Sequence, residues 1–188
     1  WRVTWHDGKA YGVSYNHTPA PTGSTAPPVD PSQRAAEWAL KLFQSDDGLN
    51  WNLLAPLKVP GRPNETTLRC LKTGSIMAMV RREASKLGGM IGVARPPYKE
   101  WTWHEISTRL GGPNFIELPD GRLVASTRDY RAAPKYKTIV GWLTQSEIEP
   151  LVTLPSGGDN SYAGMVWHDN LLWLSYYSSH EGRTSIYL

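Results

Sequence analysis

The chain has 188 residues, a formal net charge of +3, and 40% hydrophobic against 20% charged residues. That length suits one sizeable core or part of a larger closed one, and the composition is ordinary for a globular protein. So small a positive surplus, with no basic run longer than VRRE, argues against a nucleic-acid partner, and the single cysteine, Cys70, excludes both a disulfide framework and a cysteine metal cluster.

Nine Trp and nine Tyr stand against two Phe. These side chains join a large apolar body to a polar edge, which suits sheet packing and sugar-facing surfaces alike. No apolar run approaches membrane-spanning length, so no membrane partner is expected. The opening WRVTWHDGK has no charged head followed by an apolar stretch, so it does not read as a signal peptide, and it reads as the middle of a strand.

In chain order, RVTWHDGKAYGVSY is an apolar run, a tight turn and a second run. HTPAPTGSTAPPVDPSQ, over 17–33, is too poor in apolar residues to fold alone and is expected to be a mobile loop. PSQRAAEWALKLFQ is the one stretch where a helix competes, but EWALKLFQ alternates acceptably as a strand. The hairpin pattern then recurs as TLRCLKTGSIMAMVR, FIELPDGRLVASTR and GMVWHDNLLWLSYY, with turn residues Gly8, Gly74, Gly121 and Asn170 in matching places. Asp-Gly and Asp-Asn pairs tolerate the positive φ of hairpin turns. Seven residues beyond each turn residue stand Tyr15, Arg81, Arg128 and Tyr177.

A third strand follows each hairpin (WALKLFQ, MIGVARP, TIVGWLT, TSIYL), and a fourth follows the first three (WNLLAPL, WTWHEIS, EPLVTLP). Four-stranded units repeated in this way predict a β-propeller. The units span roughly 1–60, 61–108, 109–156 and an incomplete 157–188 within a single domain.

SDDGLNW, Ser45 to Trp51, admits a metal loop, a catalytic dyad or a turn. The later acids of a calcium loop are missing, and adjacent strand residues point to opposite faces. A structural turn is favoured: Asp47 accepts backbone N–H groups, Gly48 supplies the unusual φ and Trp51 folds back on the sheet.

This stretch matches the Asp-box form S-x-D-G-x-x-W. Together with PNFIELPDGRLVAS and SYAGMVWHDNLLWLSYYSSHEGRTSIYL, it resembles the sialidase (neuraminidase) superfamily, in particular bacterial exo-α-sialidase-like proteins. The resemblance implies an all-β, six-bladed β-propeller of which this chain supplies about four blades, the others coming from upstream sequence or another chain. It implies a retaining glycosidase acting on terminal sialic or related acidic sugars, with neither cofactor nor metal. Tyr162 in SYAGM takes the place of the nucleophile and Glu65 in PNETTL that of its activator, because a tyrosine approaches an anionic sugar without bringing a full charge. Arg81 takes the place of a carboxylate clamp, which an arginine fork suits better than a lysine. Arg128, Arg131, Lys137 and Arg183 are the further candidates for holding the substrate, and the acid/base Asp and first arginine have no counterpart. A carbohydrate-binding propeller without catalysis and an interaction scaffold are the competing expectations, and no compartment is assigned.

Overall fold

The computed structural model describes residues 2–16, 38–84 and 87–188. The loop expected over 17–33 lies outside the described residues. Four antiparallel sheets follow one another along the chain. The first contains β1 (Val3–His6), β2 (Lys9–Asn16), β3 (Ala39–Ser45) and β4 (Asn52–Leu57). The second contains β5 (Pro63–Cys70), β6 (Ile76–Arg82), β7 (Met90–Ala94) and β8 (Thr102–Glu105). The third contains β9 (Asn114–Glu117), β10 (Leu123–Asp129), β11 (Lys137–Leu143) and β12 (Ile148–Leu154). The fourth has three strands, β13 (Ser161–His168), β14 (Leu171–Ser178) and β15 (Ser185–Tyr187).

Each sheet is a meander, and the first strands β1, β5, β9 and β13 lie beside one another in turn. The architecture is therefore an all-β propeller of four blades. Four is the number of blades expected of this chain, while a six-bladed ring of the sialidase kind is not supported: a strand pattern fixes the unit and not the number of units around the axis.

Two turn geometries close the inner hairpins, where the sequence suggested one. His6 pairs with Lys9 and His168 with Leu171, leaving two-residue turns whose central residues all have positive φ: Asp7 and Gly8, Asp169 and Asn170. Such turns match the twist of the flanking strands. The other two are longer. Gly74 donates to the Leu71 carbonyl and Gly121 to the Leu118 carbonyl, each glycine in the left-handed region. This is a turn closed by a glycine bulge.

Strand alternation makes two cores out of one sheet. On β6, Ala78 and Val80 face the first blade and pack with Tyr11, Val13, Leu40 and Leu42, while Met79 faces the third and packs with Phe115, Ala125 and Ile139. On β10 and β11, Val124 and Val140 turn the other way, against Ala163 and Met165 of the fourth blade. Phe115 is fully buried. Phe115→Ala is expected to lower the unfolding free energy by about 3–5 kcal/mol, read from urea denaturation.

Side chains also stitch the first strands together. Thr4 Oγ1 donates to the Leu68 carbonyl at 2.8 Å, Thr67 Oγ1 to Pro113 at 2.7 Å and Arg69 Nε to Phe115 at 2.7 Å. Asn114 Nδ2 donates to the Ala163 carbonyl at 2.7 Å, and Arg2 reaches the same oxygen at 3.1 Å. Each bond ties a side chain of one blade to the backbone of another.

The SDDGLNW stretch is the expected turn. Asp47 Oδ1 accepts from the Leu49 and Asn50 amides at 2.8 and 2.7 Å, Gly48 has φ +76, and Trp51 Nε1 donates to the Gly48 carbonyl. The Asn50 amide and side chain, with Leu49 and Ser45, hold the Asp47 carboxyl well below its usual range. No helix among the described residues is long and apolar enough to cross a membrane.

Candidate active site

Glu65 and Tyr162 come from strands opened by a local irregularity. Strand register shifts between Pro63 and Thr66 on β5, and between Ser161 and Gly164 on β13. Extra residues of this kind re-aim side chains out of the regular alternation, which turns Glu65 and Tyr162 toward each other across the axis. Ser161 (φ +92) and Tyr162 (φ +53) both sit in the left-handed region, at about 1–3 kcal/mol each for residues with a side chain. A buried polar web holds that conformation. Thr138 Oγ1 lies 3.0 Å from Asn160 Oδ1 and 3.1 Å from Ser161 Oγ, and Asn160 Nδ2 donates to the Tyr136 and Gly158 carbonyls.

Glu65 is the hub. The Tyr162 hydroxyl donates to its Oε1 at 2.5 Å, and Arg81 Nη1 donates to the same oxygen at 2.8 Å. The Gly112 amide donates to Oε2 at 2.8 Å. Glu65 is buried, so these donors replace the water its carboxylate has lost. A Cβ on Gly112 would lie 2.8 Å from the Tyr162 nitrogen, so only glycine lets the two backbones approach this closely.

Arg81 bridges Glu65 and Glu83, at 2.8 and 2.6 Å. Burial draws its pKa down, but Glu65, Tyr130 and Glu83 together hold it above the ordinary value, so the guanidinium is permanently charged. Its neighbour Arg82 points to the opposite face and binds the Gly88 carbonyl and Glu105, as strand alternation requires.

Burial, then the hydrogen bond to Glu65, pushes the Tyr162 phenol up to about 12. The folded pKa exceeds the unfolded value of 10.0, so this phenol favours the fold at and below pH 10. That contribution fades as pH rises from there through about 12. Tyr162→Phe should therefore flatten the alkaline decline of the melting temperature in this window, measured by circular dichroism.

A second network adjoins the first. The Tyr162 and Tyr177 rings stack with centroids 5.7 Å apart. The Tyr177 hydroxyl donates to Asp159 Oδ2 at 2.5 Å, while Arg128 forms an ion pair with Asp159 Oδ1 and donates to the Asn160 carbonyl at 2.6 Å. Burial first, then the Asp159 bond, raises the Tyr177 pKa far above a free phenol, and Arg128 pulls both tyrosines the other way.

Among the substrate-holding residues read from the sequence, Arg81 lies in the hub and Arg128 beside it. Arg131 closes on Asp129 at 2.8 Å, and Lys137 Nζ donates to the Ser156 carbonyl at 2.8 Å. Arg183 is exposed in the short connection before β15. Arg81, Arg128 and Arg131 are thus already paired with carboxylates of this chain. Asp159, Tyr177, Gly112 and Glu83 were not singled out for the site. One signal pointed toward them: Asn64, Asn114 and Asn160 recur at the openings of the inner strands, and each is buried. No group of three or more His, Cys, Asp or Glu able to hold a metal occurs among the described residues.

No family model matches the chain, and no curated protein matches it in sequence. Solved structures do resemble it in fold. A protein of unknown function from Dyadobacter fermentans is 20% identical with a TM-score of 0.72, the match covering 98% of this chain and 50% of that one. An endo-1,4-β-xylanase from Bacteroides thetaiotaomicron is 14% identical with a TM-score of 0.63, over 98% of this chain and 65% of the xylanase. A GH43B protein from a Bacteroides ovatus xyloglucan locus is 13% identical with a TM-score of 0.65, over 98% and 36%. The chain therefore spans half or somewhat more of the first two and about a third of the last. These neighbours correct the sialidase expectation and the sialylated substrate with it. The likeness rested on one seven-residue turn and on hairpin phrases, and turn closure and blade packing account for those residues in any propeller. The fold is one shared with glycoside hydrolases of other kinds, a family-43 enzyme among them.

Proposed function

We propose that this chain carries the working end of a glycan-degrading propeller, a glycoside hydrolase whose reacting sugar sits at Glu65, Tyr162 and Arg81. The observation that carries the reading is the 2.5 Å contact between the Tyr162 hydroxyl and Glu65. A phenol held by a buried carboxylate has a ready acceptor for its proton at the moment of attack. The Tyr162 oxygen bonds to the anomeric carbon, its proton passes to Glu65, and the glycosidic bond breaks with its electrons on the departing oxygen. Asp159, a mostly exposed carboxylate joined to the same tyrosine pair, is the candidate group that relays a proton from solvent to that oxygen and, a carboxylate again, later takes one from the attacking water. Arg81 keeps Glu65 oriented and offsets charge as the proton moves. The self-paired arginines favour a neutral sugar over an acidic one, because an anionic ligand would first have to displace Asp159 or Glu83.

A specific observation also favours binding without turnover: Glu65 already accepts three hydrogen bonds from within the chain, so the cluster is satisfied as it stands. One experiment separates the readings. The chain is incubated with xylan, arabinan and β-1,3-galactan, and both reducing-end release and retention on the immobilised polymer are measured. Release that disappears in Tyr162→Phe supports the hydrolase. Retention without release supports the binding module, and neither would sink both.

A further inference from the structure

At the end of the first blade nearest the Glu65 strand, three side chains form a layered platform outside the hub. The Tyr15 and Trp38 rings stack at 13° with centroids 6.1 Å apart, and the Arg62 guanidinium lies 4.9 Å from the Trp38 ring centroid. Tyr15 remains 39% exposed. Its position follows from register. Tyr15 pairs with Leu40, on the row of Tyr11 and Val13 that packs against the second blade, so the platform continues that row beyond the edge of the core.

Arg62 fixes the platform to the site. It stands in the connection between the first and second blades, in the left-handed region, and its carbonyl accepts from Glu83, the partner of Arg81. Arg62 and Glu65 are three positions apart, a backbone reach of at most about 10 Å. The Arg62 Nε is buried without a hydrogen-bond partner. That leaves stacking on Trp38 as the evident reason for the guanidinium's placement. An arginine, a tryptophan and a tyrosine stacked in this way make a stiff aromatic surface whose outer ring faces solvent beside the candidate active site.

We infer that Tyr15, backed by Trp38 and Arg62, is a second sugar subsite that stacks on the apolar face of a pyranose ring and makes the site selective for extended glycan chains. This rests on the reading of the hub as a glycan site. A sugar ring presents a face of C–H groups, and an aromatic face gives it apolar contact without any demand on its hydroxyl pattern. The subsite thus sets chain length, while the hub sets the reacting unit.

The test uses the chain with xylo-oligosaccharides and linear β-1,3-galacto-oligosaccharides from the disaccharide to the hexasaccharide, with affinity read by calorimetry. In the wild type, affinity rises with length in at least one series. Tyr15→Ala weakens the longest member about tenfold and leaves the shortest unchanged. Tyr15→Phe, which keeps the ring, behaves as wild type. A Tyr15→Ala chain that follows the wild-type length dependence overturns the subsite and leaves the hub reading standing. Absence of binding by the wild type in both series overturns the glycan reading and the subsite with it. Tyr15 lies at the rim of the core, and an unchanged melting temperature confirms that Tyr15→Ala reports on binding.

Discussion

On the proposed mechanism, Glu65→Gln is expected to lower kcat on the best glycan substrate by about 100- to 10,000-fold, the range for loss of a positioned general base. Tyr162→Phe lowers it at least as far. Neither change removes the ring stack with Tyr177, and the Gln oxygen still accepts from Tyr162 and Arg81, its amide nitrogen giving up only the bond from the Gly112 amide. KM should therefore move little, because the lost interactions belong to the transition state. The split matters. A purely structural role for the pair would lower stability and scatter both constants, whereas a chemical role leaves binding intact and removes turnover. Reducing-sugar kinetics together with thermal melts decide it, and a Tyr162→Phe protein with wild-type kcat would remove the phenol from the chemistry.

The second large effect concerns the charge that Glu65 buries. Arg81→Met strips the carboxylate of its paired guanidinium, with side-chain exposures of 8% for Glu65 and 15% for Arg81. Breaking such a pair from one side costs about 3–5 kcal/mol, because an uncompensated charge stays behind. Glu83 adds to the penalty by losing the same partner. Removing both sides at once, as Glu65→Leu with Arg81→Met, is expected to recover most of the loss, and urea denaturation of the four proteins in the cycle gives the coupling. If Arg81→Met alone unfolds within about 0.5 kcal/mol of wild type, the buried pair is not what anchors the hub.

Much of this was legible in the chain because the signals are local. Period-two alternation around Leu40, Leu42, Ala78 and Val80 marks strands, and Asp7-Gly8 and Asp169-Asn170 mark turns that demand positive φ. The repeat offset that aligned Arg81 with Arg128 and Tyr177 also placed them at the same end of successive blades. What escaped depends on contacts distant in sequence. That Arg128 pairs with Asp159, 31 positions along the chain, appears only once the loops are folded. The irregular registers that turn Glu65 and Tyr162 toward each other carry no composition signal. Nor does the turn at Ser45–Trp51 say how many blades surround the axis, since its hydrogen bonds are satisfied within seven residues.

The double use of each inner blade has a consequence for how the molecule comes apart. A stack of independent repeats frays from its ends, one unit at a time. Here Met79 and Val80, adjacent on one strand, belong to different cores, and Thr67, Arg69 and Asn114 tie the neighbouring first strands together. Loosening the second blade therefore opens the interfaces on both its sides, and loosening the third does the same. Melting should proceed as one event, with the sheet signal in the far ultraviolet and the tryptophan fluorescence of Trp103 and Trp142 lost together. Glu65 and Tyr162, supplied by different blades, would then stay in register for as long as the protein is folded at all.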